Sequence, residues 1–372
     1  MRPMPFSDRV RHLGPNWYAA VMGTAIVATA AAPHPALRPA GAAVWMLSCA
    51  LLTALVAARA VHVARHRDVA REHLRTPATA VFYGCPPMAL LATGHATLTI
   101  GTDVIGPRAA VLVDAALWTA GTVYAVAVAA AVPYLLVTRR ADREADPTWL
   151  LPVVAPMVAA TAGAALVPHL PPGEPRATLL AACAALFGAS LLGTALLLPG
   201  IWTRIARSGL PDALTPSLFL VLGPLGQSVT AAGLLADAAR TVLPQYAGPL
   251  RLAAAGYGVP VLGFALLWLA VAGAANLRAL RTGLPFGLTW WAYTFPVGTC
   301  VTGAAVLARH TGLTALAAVS AALYALLAVA WTVVASRTAR EIARGALLGR
   351  PARPADGNGT VAIGSAAGTM PP

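Results

Sequence analysis

The sequence predicts an all-α integral membrane protein with ten transmembrane helices, and its composition is the first reason. Of the 372 residues, 58% are hydrophobic and only 10% are charged, and the mean hydropathy is +0.70. Soluble domains carry about 25% charged residues. The second reason is that long apolar runs recur along the whole chain, and the third is the way arginine is distributed between them. Most of the chain must therefore face lipid or other helices.

Apolar runs between charged or Pro/Gly-rich breaks give the ten predicted helices. A helix needs about 20 residues, at about 1.5 Å each, to cross a hydrocarbon core of about 30 Å. The predicted spans are 15–32, 40–60, 77–100, 108–137, 148–168, 176–203, 214–237, 246–276, 285–308 and 311–335. Residues 1–14 are predicted to be a cytosolic N-terminus and 15–337 the membrane domain. Residues 338–372 form a polar tail, rich in Pro and Gly, that we expect to be disordered.

The positions of arginine predict the orientation of the helices. All 26 basic residues are Arg. If both termini are cytoplasmic, the inner segments carry 20 of these arginines and the outer connectors carry six. Such an asymmetry is what the positive-inside rule requires, and a nine-helix model would disturb it. We therefore expect a multi-pass protein of the cell membrane with both termini in the cytoplasm.

The odd-numbered helices differ from the even-numbered ones in composition. Even helices are rich in Leu, Ala and Val and largely free of interior proline, whereas odd helices carry Pro, Gly or Thr in their middles, as in VFYGCPPMALLATGHA and WWAYTFPVGTCVTGAA. A mid-helix proline frees a carbonyl, which is tolerated in a membrane only inside protein or beside a wet cavity. We predict five helical hairpins, with five kinked inner helices lining a narrow pore and five outer helices. The alternative is that Pro and Gly are simply common in membrane helices and promote packing.

Small and polar residues of the odd helices are the candidates for the pore wall. No Asp or Glu lies in the middle of an odd helix, so nothing there would select cations. Amides freed at kinks, hydroxyls and one glutamine could donate hydrogen bonds to an anion, although hydroxyls in apolar helices more often bond to their own backbone. The predicted pore-lining residues are Gly23, Thr24, Pro87, Pro156, Pro224, Gln227, Ser228, Gly298 and Thr299.

Two titratable residues, His95 and Asp114, lie nearest the predicted membrane interior. Ionisable groups in membrane segments are functional candidates by default. Both residues are close to the outer ends of their helices, so an interfacial or structural role is the alternative.

Several classes of function find no support in the sequence. We find no nucleotide-binding motif, metal-ligand cluster or nucleophile–base pair, and therefore predict no enzyme activity, cofactor or metal. The four cysteines, Cys49, Cys85, Cys183 and Cys300, are scattered over apolar segments and are expected to be inert. A nucleic-acid surface would need a soluble basic face, and no soluble domain is present to carry one.

Three stretches resemble the tellurite-resistance/dicarboxylate transporter family, within the superfamily of voltage-dependent and slow anion channels. They are GPNWYAAVMGTAIV in helix 1, LGPLGQSVTAAGLL in helix 7 and PFGLTWWAYTFPVGT in helix 9. The resemblance implies a homotrimer in the lipid bilayer, with one pore per protomer, and a small anion as substrate. It also implies an occluding phenylalanine on helix 9, which by motif is Phe295, just before Pro296. For a phenylalanine in an apolar helix, packing in the core is the alternative role.

The same resemblance sets the expected transport activity. Its members include malate permeases, so we expect a gated pore for a C4-dicarboxylate such as malate or for a small inorganic anion. The alternative is efflux of sulfite, or transport related to tellurite resistance, by a carrier that depends on the proton motive force.

Overall fold

The computed structural model describes residue 11, residues 13–138 and residues 145–344. Within these ranges every regular element is helical. Most of the predicted N-terminal segment 1–14, and the predicted tail from residue 345 onward, lie outside them.

Ten long helices follow one another along the described chain, and we label them α1 to α10. They are α1 (residues 15–31), α2 (Pro35–Arg65), α3 (Pro77–Ile105), α4 (Pro107–Thr138), α5 (Pro147–His169), α6 (Glu174–Ser208), α7 (Asp212–Ala239), α8 (Pro244–Arg281), α9 (Leu288–Thr311) and α10 (Thr314–Ala343). By length and composition, nine of them, α2 to α10, could cross a membrane, whereas α1 reaches only about 25 Å. The prediction of an all-helical membrane protein is confirmed.

The odd-numbered helices form a closed ring at the centre of the molecule. In the ring, α1 packs on α3, α3 on α5, α5 on α7, α7 on α9, and α9 on α1. In α3, α5, α7 and α9, 61–89% of the most apolar stretch is buried, and in the segment Tyr18–Ala31 of α1 every residue except Ala19 is buried. In the even-numbered helices the buried share is only 17–28%. The odd helices are therefore the inner layer.

The even-numbered helices surround this ring as an outer layer. Each one packs against the inner helices on both sides of it: α2 on α1 and α3, α4 on α3 and α5, α6 on α5 and α7, α8 on α7 and α9, and α10 on α9 and α1. Their outward faces carry exposed aliphatic side chains, among them Leu112, Val123, Leu192, Leu196 and Leu267. An apolar surface of this extent requires a lipid environment. The outer helices therefore shield the ring from the bilayer.

The two layers differ in helix type rather than in proline content. The description of the even helices as largely free of interior proline does not hold for three of the five, because Pro133, Pro199 and Pro260 lie inside α4, α6 and α8. The inner helices α3, α7 and α9 each contain a 3-10 segment that gives way to an α-helix, at Cys85, Leu222 and Phe295. The other 3-10 segments of the described helices are three-residue turns at helix ends, such as Pro35–Leu37 of α2 and Pro244–Tyr246 of α8 in the outer layer.

The outer helices extend beyond their predicted ends. α2 continues to Arg65, α6 to Ser208 and α8 to Arg281, five residues further than predicted in each case. A helix can continue past its last apolar residue because arginine stems cover apolar surface while their charged heads reach water. α10 continues to Ala343, so residues 338–343, which were predicted to begin the disordered tail, are helical.

Candidate functional site

Three cavities lie in series along the axis of the inner ring, and residues of all five inner helices line each of them. We name them by their distance from the start of α1. The proximal cavity includes Asn16 and Ala19, the middle cavity includes Met22, and the distal cavity includes Ile26 and Thr29. These five residues follow one face of α1 in steps of three or four. The cavities therefore follow one line through the ring.

The side chain of Phe295 separates the distal cavity from the middle one. It lines both cavities and is only 3% exposed. The middle and proximal cavities are separated in the same way by Met22, Leu151 and Leu220, each of which lines both. The line of cavities is therefore closed at two levels, first by an aromatic ring and then by three aliphatic side chains.

A break in α9 places Phe295 on this axis. The helix begins as a 3-10 segment, Leu288–Tyr293, and continues as an α-helix from Phe295. Between the two lies Thr294, with φ −101° and ψ −76°, whose hydroxyl donates to the carbonyl of Trp291 over 2.7 Å. Pro296 is the second residue of the α-helical part, where its missing N–H costs nothing. The proline thus marks the start of a new helix that carries Phe295 as its first residue.

Helix α8 supplies hydrogen-bond partners to the 3-10 segments of α7 and α9. The indole N–H of Trp268 donates to the carbonyl of Leu218 (2.9 Å), and the amide of Asn276 donates to the carbonyl of Thr215 (3.1 Å). The hydroxyl of Tyr293 donates in turn to Asn276 Oδ1 (2.7 Å). Since buried backbone carbonyls must be paired, the first two bonds stabilise the 3-10 segment at the start of α7. The bond of Tyr293 connects the 3-10 segment of α9 to the same asparagine.

Two glycines allow α1 and α9 to cross closely beside Phe295. A Cβ atom on Gly23 would collide with the hydroxyl of Thr294, and one on Gly298 would collide with the side chain of Ile26. Because the backbones meet at these points, both glycines lie in the contact between helices and do not leave open space beside the cavities.

Polar side chains from every inner helix face the distal cavity. We call this set the polar ring: Thr29 on α1, His95 on α3, Thr161 on α5, Gln227 and Thr230 on α7, and Thr302 on α9. The middle cavity is lined instead by Met, Leu, Val, Gly, Pro and Phe side chains. None of the residues that line the three cavities is Asp, Glu or Arg. Along the axis, the polar groups are therefore concentrated just beyond Phe295.

Hydrogen bonds fix the geometry of the polar ring. The hydroxyl of Thr161 donates to the carbonyl of Met157 (3.0 Å) and accepts from the Gln227 amide nitrogen (2.7 Å). Since the only hydroxyl hydrogen of Thr161 goes to Met157, this hydroxyl can only accept from Gln227, which defines the orientation of the amide. The hydroxyls of Thr230 and Thr302 are 2.8 Å apart.

Five of the predicted site residues lie on the cavity walls. Phe295 and Pro296 are at the boundary between the middle and distal cavities, Pro224 lines the middle cavity, and Gln227 and His95 line the distal one. Four members of the polar ring were not predicted: Thr29, Thr161, Thr230 and Thr302. For two of them the sequence spacing could have given the position. Thr302 follows Phe295 by seven residues and Thr230 follows Gln227 by three, and residues at these spacings share one face of a helix.

The other predicted pore residues are not among those that line the three cavities, and the hydroxyls face other helices. The Thr24 hydroxyl accepts from the indole of Trp331 on α10 (3.1 Å), and that of Ser228 accepts from Tyr257 on α8 (2.8 Å). Thr299 donates to the carbonyl of Pro296 (2.7 Å). Prediction by residue type selected these hydroxyls because it could not tell which helix face meets the axis.

Two predicted prolines and Asp114 also lie away from the axis. Pro156 lines a groove between α4, α5 and α6 on the outer surface, and Pro87 is buried at the start of the α-helical part of α3. Asp114 is fully buried on α4 beside Gly94, and its carboxylate oxygens have no hydrogen-bond partner among the residues described. No group of three or more His, Cys, Asp or Glu side chains that could hold a metal occurs in the described ranges.

A multi-pass membrane protein whose inner helices enclose a line of cavities belongs to the class of channels and transporters. Comparison with known proteins narrows this class. The chain belongs to the voltage-dependent anion channel family, whose model matches residues 12–339. This result confirms the resemblance read from the motifs of helices 1, 7 and 9.

Individual relatives cover most of the chain at low identity. An uncharacterized transporter of Methanocaldococcus jannaschii is 24% identical over 345 residues, which is 91% of this chain and 96% of the relative. Sulfite efflux pumps of Arthroderma otae and Trichophyton rubrum are each 26% identical over 315 residues, 81% of this chain and 83% of the pumps.

Proposed function

We propose that this protein moves small anions across the membrane along the axis of the inner ring, with Phe295 as the gate. The observation that carries the proposal is that Phe295 is a wall common to two cavities, each lined by all five inner helices. An aromatic side chain in an apolar constriction stops ions by steric block and by excluding water. Pro296 supports this role because it starts the helix that presents Phe295 to the axis.

The chemistry of the cavity walls favours an anion over a cation. The walls carry no carboxylate, and the polar ring offers the amide of Gln227 and the imidazole of His95 as hydrogen-bond donors. An ion that leaves water must exchange its hydration shell for such groups. Together with membership of an anion channel family, these groups support anion transport.

Sulfite, or a small inorganic oxyanion like it, is the substrate that the comparisons favour, because two of the similar proteins are named as sulfite efflux pumps. A C4-dicarboxylate such as malate is the second candidate, from the resemblance of the motifs to malate permeases. The walls of the cavities carry no carboxylate, which favours a channel or uniport mechanism, and His95 of the distal cavity is the group that would carry the proton if transport were proton-coupled.

The proposed topology has ten membrane crossings arranged as five hairpins, with both termini in the cytoplasm of the cell. Although α1 is short, α2, α3, α9 and α10 all pack against it, so neighbouring protein covers its ends. The excess of arginine on the side of the termini supports this orientation. A homotrimer with one path in each protomer is proposed from the family resemblance.

The test is the anion current of the purified protein in planar lipid bilayers. We expect the wild type to conduct little and Phe295→Ala to carry a much larger anion current in a hydrogensulfite solution, because the barrier formed by the Phe295 side chain is removed. Phe264→Ala, which shortens a half-exposed phenylalanine on the outer helix α8, is the matched control and should behave as the wild type. Absence of anion current in the wild type, in Phe295→Ala and in Phe295→Ala combined with the polar replacement Leu220→Asn at the second closed level would refute the gated pathway.

A further inference from the structure

We propose that the polar ring is a binding site for an oxyanion that also carries a hydroxyl group, such as hydrogensulfite or bicarbonate, and that it selects against halides and fully ionised dianions. The inference rests on the proposed function, because the ring lies on the proposed pathway. It adds the chemical class of the ligand and the residues that recognise it.

The threonines of the ring present acceptors, not donors, to the cavity. Thr29 donates its hydroxyl hydrogen to the carbonyl of Ala25 (3.2 Å), and Thr161 donates to that of Met157 (3.0 Å). The hydroxyl hydrogen of Thr302 is bound within the protein as well, on either the carbonyl of Thr299 (3.1 Å) or the hydroxyl of Thr230 (2.8 Å). A hydroxyl whose hydrogen is bound in this way has only lone pairs left for a ligand. Three of the five inner helices therefore offer oxygen acceptors at this level.

Gln227 and His95 complete the ring with groups that both donate and accept. The amide of Gln227 uses one N–H on Thr161, which leaves its second N–H and its Oε1 without a partner among the described residues. His95 Nδ1 is buried and also has no hydrogen-bond partner in the described ranges. A neutral imidazole supplies one donor and one acceptor. The distal cavity therefore mixes N–H donors with a larger number of oxygen acceptors.

This combination matches an anion that can itself donate a hydrogen bond. A halide accepts hydrogen bonds only, so it would bind the N–H groups of Gln227 and His95 but would face the lone pairs of the threonines. A fully ionised dianion meets the same lone pairs with twice the charge. A hydroxyl-bearing oxyanion accepts from the two N–H groups and donates its O–H to one oxygen acceptor of the ring, which is a hydrogen bond that a halide cannot make.

Bicarbonate and acetate provide a matched pair of probes, because they have the same charge and a similar shape and differ by a hydroxyl in place of a methyl group. We would measure the equilibrium binding of each, and of chloride, to the purified full-length protein in detergent. Bicarbonate should bind about tenfold to 100-fold more tightly than acetate or chloride, as expected when a buried hydrogen bond is lost. Equal binding of bicarbonate and acetate would overturn the proposal.

Gln227→Leu tests whether the ring is the site, because leucine keeps the volume and removes both hydrogen-bonding groups. Bicarbonate binding should weaken about tenfold and the preference over acetate should vanish. Gln245→Leu is the control: Gln245 is exposed in the first turn of α8, and binding should stay as in the wild type. If Gln227→Leu does not fold, Thr161→Val removes the hydroxyl that orients the amide and should also reduce the preference.

Binding in detergent needs no transport, so the two proposals can fail separately. Preferential bicarbonate binding that depends on Gln227, without anion current in Phe295→Ala or in its combination with Leu220→Asn, would leave the ring as a binding site and refute the pathway. Current in Phe295→Ala, with bicarbonate and acetate binding equally, would keep the pathway and refute the recognition of a hydroxyl. Unchanged bicarbonate binding in folded Gln227→Leu would place the site elsewhere.

Discussion

The distal and middle cavities share Phe295 as a wall but offer an ion opposite environments. The distal cavity has a polar group from each of the five inner helices, whereas the middle cavity has methionine, leucine, valine and proline side chains. An ion can exchange its hydration shell for protein groups only in the first of these, because apolar walls provide no substitute. Under the proposed function, an anion would rest on the distal side of Phe295 and be blocked at Phe295 and at the second closed level.

The backbone differs on the two sides as well. Around the middle cavity, α7 and α9 change from 3-10 helix to α-helix at Leu222 and Phe295, whereas around the distal cavity both are regular α-helices. Hydrogen bonds from α8 reach the 3-10 segment of α7. At the distal level the indole of Trp118 on α4 donates to the carbonyl of Ala159 (2.9 Å), and the hydroxyl of Ser320 on α10 donates to that of Val301 (3.0 Å). The two sides of Phe295 are therefore supported by different outer helices, the middle side by α8 and the distal side by α4 and α10.

The largest expected effect concerns which of the two closed levels limits the current. Phe295→Ala should raise the anion conductance about 100-fold, as a barrier lowered by about 2.7 kcal/mol would. Leu220→Asn makes the second level more polar, but with Phe295 in place it should change the conductance by less than about twofold, because the first barrier stays. In combination with Phe295→Ala it should raise the current further. Recordings in planar bilayers measure all three variants.

The opposite order of effects would invert the comparison. If Leu220→Asn alone opened the pathway and Phe295→Ala did not, the limiting barrier would be the aliphatic level formed by Met22, Leu151 and Leu220. Phe295 would then be a packing residue of the core.

The fold follows from sequence properties that do not depend on long-range geometry. Apolar length and arginine counts predicted ten helices, because burial in lipid and the charge of a connector are local quantities. The composition of the odd helices predicted that they, and not the even helices, form the buried inner layer. The motif of α9 predicted that Phe295 lies on the axis. Residue type alone was sufficient for the helices and for their burial, whereas Phe295 was assigned by the resemblance of its motif to a family.

The pore wall could not be predicted in the same way, because it depends on how each helix is rotated. Thr24 and Thr29 lie five residues apart in α1, and only Thr29 faces the distal cavity. Small residues were predicted to leave room for a pore, but Gly23 and Gly298 instead allow α1 and α9 to touch. Rotation is set by such contacts between helices distant in sequence. An apolar helix without a polar face gives little sign of them.

The second-largest expected effect tests the close crossing of α1 and α9, which lies beside Phe295. Gly298→Ala places a methyl group against Ile26, so α1 and α9 must move apart. Overpacking of this kind costs about 1–3 kcal/mol, and we expect a lower thermal unfolding midpoint in detergent. Gly263→Ala is the control, because a Cβ at Gly263 on α8 meets no neighbour within 4 Å. A midpoint equal to that of the wild type for Gly298→Ala would show that the crossing is loose.

The smallest expected effect tests whether a change in α8 alters the middle side of Phe295 without altering the distal side. Trp268→Phe keeps an aromatic ring but removes the N–H that donates to the carbonyl of Leu218. A buried carbonyl left unpaired costs about 1–3 kcal/mol, so the unfolding midpoint should fall slightly. Bicarbonate binding in the distal cavity should stay unchanged, because no residue of α8 lines it.

Trp149→Phe is the control for the loss of an indole, since the N–H of Trp149 makes no hydrogen bond to the residues described. It should leave both the midpoint and the binding as they are in the wild type. If Trp268→Phe weakened bicarbonate binding as strongly as Gln227→Leu, the 3-10 segment of α7 and the polar ring would form one unit. The two sides of Phe295 could then not be treated as separate regions, and a change at the blocked side would also alter the affinity of the binding side.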